Sequence, residues 1–187
     1  MTNIIQFPDN MTLDRQDIVL FKTPINDKQP HMASEWAGKF GISGEVNDLG
    51  ASYVVRNETG DMELFHASDS LWYADVQAQT REPEGPVDLP PEPEALEIAE
   101  SFLREKDLFD DRCRVHSIHY LEMAEVESPD QEPETYPVAM RINYQYFLDG
   151  LPVFGPGAKM GVTIGEDRKI IDLFKFWREP VDDGSAG

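Results

Sequence analysis

The sequence predicts an α+β protein built from two helix-plus-antiparallel-sheet units, one in each half of the chain. Residues 138–146 and 158–164 alternate apolar with polar residues, which is typical of strands with one buried face. Between these stretches, Asp149 and Gly150 are flanked by apolar residues, a pattern that predicts a type I′ hairpin turn. A helical pattern precedes the strands in each half, so one helix is expected to cover each sheet.

The N-terminal unit is predicted to contain a short amphipathic helix over residues 32–40. Its apolar residues recur at helical spacing, and the glycine at position 41 or the glycine at position 44 supplies a stop signal. These apolar residues are Ala33, Trp36, Ala37 and Phe40. Before this helix, the apolar run over residues 18–21 predicts either a brief strand or a helical turn, and its pattern does not decide between them.

Three strands are predicted to follow this first helix. Residues 51–56 and 62–67 flank a polar connection over residues 57–61, which contains a glycine where a hairpin needs a positive φ. Residues 70–76 are expected to supply the third strand. The first half of the chain is therefore predicted to run from helix to sheet.

A segment rich in proline and glutamate, residues 83–94, separates the two halves. Proline lacks a backbone N–H and disrupts both helices and strand ladders, so this segment is predicted to be a stiff, extended linker. We therefore predict an N-terminal unit over residues 1–82, a linker over residues 83–94, a C-terminal unit over residues 95–180 and a disordered tail over residues 181–187.

The C-terminal unit is predicted to begin with an amphipathic helix that ends near Phe109. The apolar residues that line one face of this helix are Ala95, Ile98, Ala99, Phe102 and Leu103. Residues 114–126 are rich in strand formers, although their alternation is imperfect. Residues 128–134 are predicted to form an acidic loop, and residues 169–177 the last strand of an antiparallel meander.

The acidic composition limits the classes of partner. The chain has 187 residues with 36 acidic and 16 basic side chains, and the net charge of −20 argues against binding a nucleic-acid backbone. A basic partner or plain solubility is the favoured meaning. One cysteine, Cys113, excludes an internal disulfide. No window approaches the roughly 18 apolar residues of a membrane span, and residues 1–10 lack the pattern of a signal peptide.

The second half of the chain resembles the PepSY-type domains. The resemblance rests on Ala-Leu-Glu-Ile-Ala at residues 95–99, on residues 142–155 with their Asp-Gly-Leu-Pro-Val hairpin, and on residues 162–171. It is closest to the propeptide domains of thermolysin-like and fungalysin metalloproteases. Residues 33–73 resemble a degenerate first copy of the same domain. The resemblance implies a PepSY- or cystatin-like outline and a non-catalytic domain that binds or inhibits a partner, often outside the cytoplasm.

The region from Cys113 to Glu122 carries the residue types that could support chemistry. Cys113, His116, His119 and Glu122 can all ligate zinc, but on a strand His116 would point to the face opposite Cys113 and His119. Nearby aspartates would raise the pKa of the thiol and oppose a nucleophilic role. We therefore predict no catalytic residue, no cofactor and no metal ligand. A small hydrolase or metal-dependent enzyme that uses this region is the alternative.

The predicted partner-binding residues are Phe174, Phe176 and Trp177. We expect residues 169–177, in preference to residues 70–76, to form an open sheet edge where an extended segment of a partner adds to the backbone and the aromatic rings anchor it. The predicted function is a binding, inhibitory or regulatory module for a protein partner, such as a protease or a basic protein. An acidic decoy or immunity-type protein that caps a basic partner is a third interpretation, based on net charge alone.

Overall fold

Nine strands pair in one continuous antiparallel sheet. The computed structural model describes residues 28–68, 70–81, 83, 85–125, 133–155 and 157–177. The strands in chain order are β1 (Val46–Asp48), β2 (Ser52–Arg56), β3 (Gly60–Phe65), β4 (Leu71–Asp75), β5 (Cys113–Glu125), β6 (Glu134–Leu148), β7 (Leu151–Pro152), β8 (Ala158–Ile164) and β9 (Ile170–Trp177). Their spatial order is β1-β2-β3-β4-β9-β8-β6-β5, and the two-residue β7 pairs with β6.

Two longer helices and one short helix accompany the sheet in these described residues: α1 (Pro30–Lys39), α2 (Val76–Thr80) and α3 (Glu92–Glu105). Both α1 and α3 carry proline in the first turn, where the missing N–H leaves no helical hydrogen bond unmade. Both helices lie where the sequence predicts them. The short α2 begins directly after β4, and its N-terminus is capped by Asp75, whose carboxylate accepts a hydrogen bond from the Ala78 amide at 2.9 Å.

The continuous sheet shows that the prediction of two helix-plus-sheet units is wrong. Strand β9, the last strand of the chain, lies between β4 from the first half and β8 from the second half. Tyr73 of β4 and Val162 of β8 are both direct cross-strand neighbours of Leu173 in β9. Pairing β4 with β9 satisfies backbone groups that two separate sheets would each leave open at an edge. The fold is therefore dominated by one sheet.

The segment predicted as a linker is tied to the turn between β8 and β9. Arg81 forms an ion pair of 2.9 Å with Glu166 in that turn. Arg168, from the same turn, pairs with Asp88 at 3.6 Å and also binds Glu94 near the start of α3. These ion pairs connect the middle of the chain to its C-terminal strands.

The hairpin predicted at Asp149 and Gly150 is confirmed. The two residues have φ values of 49° and 83°, and the flanking Leu148 and Leu151 pair with each other. Positive φ at both central residues is the requirement of a type I′ turn. The predictions made for residues 18–21 and for the tail at residues 181–187 lie outside the described residues, as does most of the predicted acidic loop.

Alternation along the strands gives the sheet two chemically different faces. Helices α1 and α3 pack on one face, where Phe40 stacks on Tyr73 with ring centroids 4.4 Å apart and Phe102 lies 6.3 Å from the same ring. We call this the helix-covered face; its central row comprises Met62, Tyr73, Leu173, Val162 and Ile142. The opposite side, which we call the distal face, has a neighbouring row of Glu63, Trp72, Phe174, Gly161 and Asn143.

Candidate functional site

A cluster of aromatic side chains lies on the distal face, across β3, β4 and β9. Phe174 and Phe176 stack with centroids 5.4 Å apart and an interplanar angle of 28°, and Phe65 meets Phe176 edge-on at 6.3 Å. Trp72 is the direct cross-strand neighbour of Phe174. Phe176 is 37% exposed, and the other three side chains are partly exposed. We call Phe65, Trp72, Phe174 and Phe176 the aromatic patch.

Gly161 leaves the space in which the Phe174 ring packs against the sheet. The two residues are cross-strand neighbours on β8 and β9. A methyl group at position 161 would lie 2.6 Å from Cζ of Phe174 and 3.2 Å from Oδ1 of Asn143. Glycine in a strand interior often marks such a close approach. The absence of a side chain at position 161 therefore lets an aromatic ring lie against the backbone of β8.

A partly buried polar network borders the aromatic patch on the side of β6. Nε of Arg141 donates a hydrogen bond of 2.9 Å to Oγ1 of Thr163, whose hydroxyl in turn donates to Oδ1 of Asp172 at 2.9 Å. Nη2 of Arg141 also lies 3.2 Å from Oδ2 of Asp172, and Cζ of Arg141 lies 5.8 Å from the centroid of Phe174. Thr163 and Asp172 are buried. The network fixes a cation beside the patch.

Charges of both signs surround the aromatic patch. Lys159 is exposed, is the cross-strand neighbour of Phe176, and forms no ion pair with the described residues. On the other side, the Ser52 hydroxyl donates a hydrogen bond to the carboxylate of Glu63, which flanks Trp72. The rim of the patch near β8 is therefore cationic, although the chain as a whole carries a net charge of −20.

The structure places two of the three predicted binding residues in this patch. Phe174 and Phe176 belong to it, and the side chain of Trp177 lies outside the described part of the structure. The predicted mode of binding is wrong, because β9 and β4 are both interior strands with a partner strand on each side. Neither strand has a free edge. Any role of Phe174 and Phe176 must come from their side chains.

Sequence reasoning missed Phe65 and Trp72. Both lie in strands whose buried residues, such as Leu64 and Leu71, face α1 and α3, so a large aromatic residue at the next position points to the distal face. Large apolar side chains on both faces of a strand are the signal that could have identified them.

The residues proposed for chemistry in β5 do not converge. Cys113 is buried on the helix-covered face beside Tyr146. A bulge at His116 inserts one extra residue between Val115 and Ser117, so His119 lies beside Arg141 on the distal face. The prediction that Cys113 and His119 share a face is therefore wrong. Among the described residues, no group of three or more His, Cys, Asp or Glu side chains is arranged to hold a metal ion.

Burial controls the ionisation of Cys113. Loss of solvation, followed by the negative charge of Asp110, raises the pKa of the thiol from 9.0 to about 12. Burial likewise raises the pKa of Tyr144, whose hydroxyl oxygen has no hydrogen-bond partner among the described residues. Near neutral pH, the thiol therefore stays protonated and is a poor nucleophile.

This raised pKa predicts that alkaline conditions weaken the fold through Cys113. Above about pH 9 the unfolded chain loses the thiol proton while the folded chain keeps it, so the free energy of unfolding falls as the pH rises towards about 12. Cys113→Ala should show a smaller fall between pH 8 and pH 10 in urea titrations. Equal falls for the two proteins would contradict a buried, protonated thiol. Tyr73 and Tyr144, whose pKa values are also raised, contribute only at higher pH.

No helix among the described residues has the length and apolar character needed to cross a membrane. Comparisons with protein-family models, with curated proteins and with solved structures each returned no match.

Proposed function

We propose that this chain is a non-catalytic binding module that recognises a protein partner through the aromatic patch. The observation that carries the proposal is the clustering of four partly exposed aromatic side chains on the face opposite α1 and α3. Contiguous apolar surface of this kind typically marks an interaction site, and aromatic residues are enriched at the energetic centre of protein interfaces.

The surroundings of the aromatic patch favour one kind of partner surface. Apolar side chains of the partner would cover the rings, and an acidic side chain would pair with Lys159, which forms no ion pair with the described residues. An ion pair at the rim of the aromatic patch contributes mainly to the orientation of the partner and to the association rate, whereas burial of the rings supplies most of the affinity.

The aromatic patch is built on interior strands, and side chains that are positioned before binding lose less entropy when a partner covers them. Trp72, Phe174 and Phe176 lie on interior strands, and the ring of Phe174 is positioned by Gly161 below it and by Arg141 beside it. The resemblance to PepSY-type domains, which implies a domain that binds or inhibits a partner, points to the same class of function.

The test is a comparison of two exposed phenylalanines. A partner isolated with the wild-type chain as bait is purified, and its Kd is measured by calorimetry for the wild type, Phe176→Ser and Phe154→Ser. Phe154 is 82% exposed and lies outside the aromatic patch, so it is a matched control. We expect Phe176→Ser to weaken binding by tenfold or more, about 1.4 kcal/mol, and Phe154→Ser to leave binding nearly unchanged.

Gly161→Ala gives a second test that removes no aromatic residue. The added methyl group must displace the far end of the Phe174 ring, so the patch changes shape while the core on the opposite face is untouched. We expect weaker partner binding with a nearly unchanged melting temperature. Wild-type affinity in both Phe176→Ser and Gly161→Ala, with both proteins folded by circular dichroism, would rule out the patch as the binding surface.

A further inference from the structure

Strand β5 forms an edge of the sheet in the part of the chain that the structure describes. It contains 13 residues, and among the described residues it pairs only with β6. The other edge strand, β1, has only three residues. A long edge strand presents unpaired backbone groups, and proteins commonly protect such an edge with proline, with lysine or by keeping the strand short. Strand β5 contains neither proline nor lysine.

Large apolar side chains are exposed along this edge. Tyr120 is 47% exposed, Val115 is 42% exposed and Leu121 is 36% exposed. The bulge at His116 interrupts the ladder near the start of the strand, but Ser117 to Leu121 pair with β6 without a break. The stretch from Ser117 to Leu121 is therefore regular enough to pair with another strand.

The backbone N–H and C=O groups of Tyr120 point away from β6, towards the edge of the sheet. The amide of Phe147 donates a hydrogen bond of 2.9 Å to the carbonyl oxygen of Arg112. The backbone groups of Phe147 therefore point towards the β5 side of β6, and so do those of every second residue along β6. Alternation along an antiparallel ladder places Asn143 and Arg141 in the same set, so their partners Ser117 and His119 are bonded to β6. The N–H and C=O groups of the intervening Tyr120 consequently face the free edge.

The charge of this region selects the kind of segment that fits. The sequence contains no lysine or arginine between Arg114 and Arg141, and it has six acidic residues in that interval. Glu122, Glu125 and Glu134, at the end of the β5–β6 pair, are exposed and form no ion pair with the described residues. Paired antiparallel about Tyr120, a second copy would place apolar residues opposite Glu122 and Glu125 and would therefore supply no basic side chain to pair with them.

We propose that the free edge of β5 binds an extended, basic segment of a protein partner, which adds to the sheet as a further strand. Backbone hydrogen bonds to Tyr120 supply affinity, and lysine or arginine side chains of the segment pair with the glutamates at the end of β5. Two strands, β6 and β8, separate β5 from β9. The inference therefore goes beyond the proposed function and does not depend on the aromatic patch.

The probe is a fluorescein-labelled nine-residue peptide that alternates lysine with valine. Its Kd for the full chain is measured by fluorescence anisotropy beside a control peptide with glutamate in place of lysine. We expect the lysine peptide to bind and the glutamate peptide to bind at least tenfold more weakly. No binding of the lysine peptide at millimolar concentration, or equal binding of both peptides, would overturn the proposal.

Two variants of Tyr120 separate backbone pairing from general charge attraction. Tyr120→Thr removes the ring but keeps the outward N–H, whereas Tyr120→Pro removes both, at a position where proline costs no bond to β6. We expect the proline variant to bind the lysine peptide at least tenfold more weakly than the threonine variant. Equal affinities would show that the peptide binds by charge alone and would contradict strand addition.

Hydrogen exchange on the unaltered protein provides a readout that does not depend on the folding of a variant. The amide of Tyr120 should exchange more slowly by tenfold or more when the lysine peptide is bound, whereas the already bonded amide of His119 should change less. Unchanged exchange at Tyr120 would overturn the proposal. The proposal would also be overturned if analytical sedimentation showed that the chain dimerises through β5 and does not bind the peptide. Phe176→Ser should bind the peptide normally, so failure of the aromatic patch and failure of the edge are distinguishable.

Discussion

Leu173→Ala is expected to lower the free energy of unfolding by about 3 kcal/mol, within the range measured for leucine-to-alanine changes in protein cores. Leu173 is fully buried on β9, between Tyr73 from the first half of the chain and Val162 from the second half. The change leaves a cavity where the two halves share their core. Because one sheet joins the halves, we expect them to unfold together in a single transition, measured by urea titration with fluorescence and circular dichroism.

Leu151→Ala is the matched control for this change. Leu151 is 49% exposed, so the same chemical substitution should alter stability by less than about 0.5 kcal/mol. Two separate unfolding transitions, or an effect of Leu173→Ala no larger than that of the control, would contradict a shared core. Coincident curves from the two probes would support it.

Arg141→Met is expected to lower the free energy of unfolding by about 2–3 kcal/mol, because it leaves a buried carboxylate without its cation. The Asp172 side chain is only 10% exposed, and its remaining hydrogen-bond partner in the network is the Thr163 hydroxyl. Arg141 is one-third exposed, so we place the effect below that of a fully buried pair.

A second substitution tests whether the buried charge is the cause. Adding Asp172→Asn to Arg141→Met removes the negative charge, so the double variant should be more stable than Arg141→Met alone. Urea unfolding of the two single variants and the double variant gives the coupling energy. A double variant that is less stable than both single variants would show that packing of the Arg141 side chain dominates.

Features set by a few neighbouring residues were predictable from the sequence. The turn at Asp149 and Gly150 follows from the conformational preference of those two residues, and the confirmed helices follow from apolar spacing and proline positions within one segment. The antiparallel strands from β2 to β4 are likewise local hairpins. Each of these elements depends on interactions between residues close in the chain.

The junction between β4 and β9 could not be predicted from local pattern. Tyr73 and Leu173 are 100 positions apart, and nothing in the alternation of either strand specifies which other strand lies beside it. The prediction therefore kept the two halves separate and left β9 at an edge. The pairing that joins them depends on which strand edges can hydrogen-bond each other's backbone N–H and C=O groups when the chain folds.

The bulge at His116 shows how one residue can reverse a prediction about a site. Strict alternation places Cys113 and His119 on the same face, but the extra residue moves everything after Val115 to the opposite face. The imperfect alternation of this segment is the sign of that bulge in the sequence. The alternation alone did not show at which residue the register changes.

The claim that the aromatic patch binds a protein partner is tested most directly by hydroxyl-radical footprinting of the chain with and without the purified partner. We predict that the partner lowers oxidation of Trp72, Phe174 and Phe176. Oxidation of Trp36 in α1 and of Phe40 at its C-terminal cap, both packed against the core on the helix-covered side, should stay unchanged. Protection of Trp36 and Phe40 with unchanged oxidation of the patch would contradict the account.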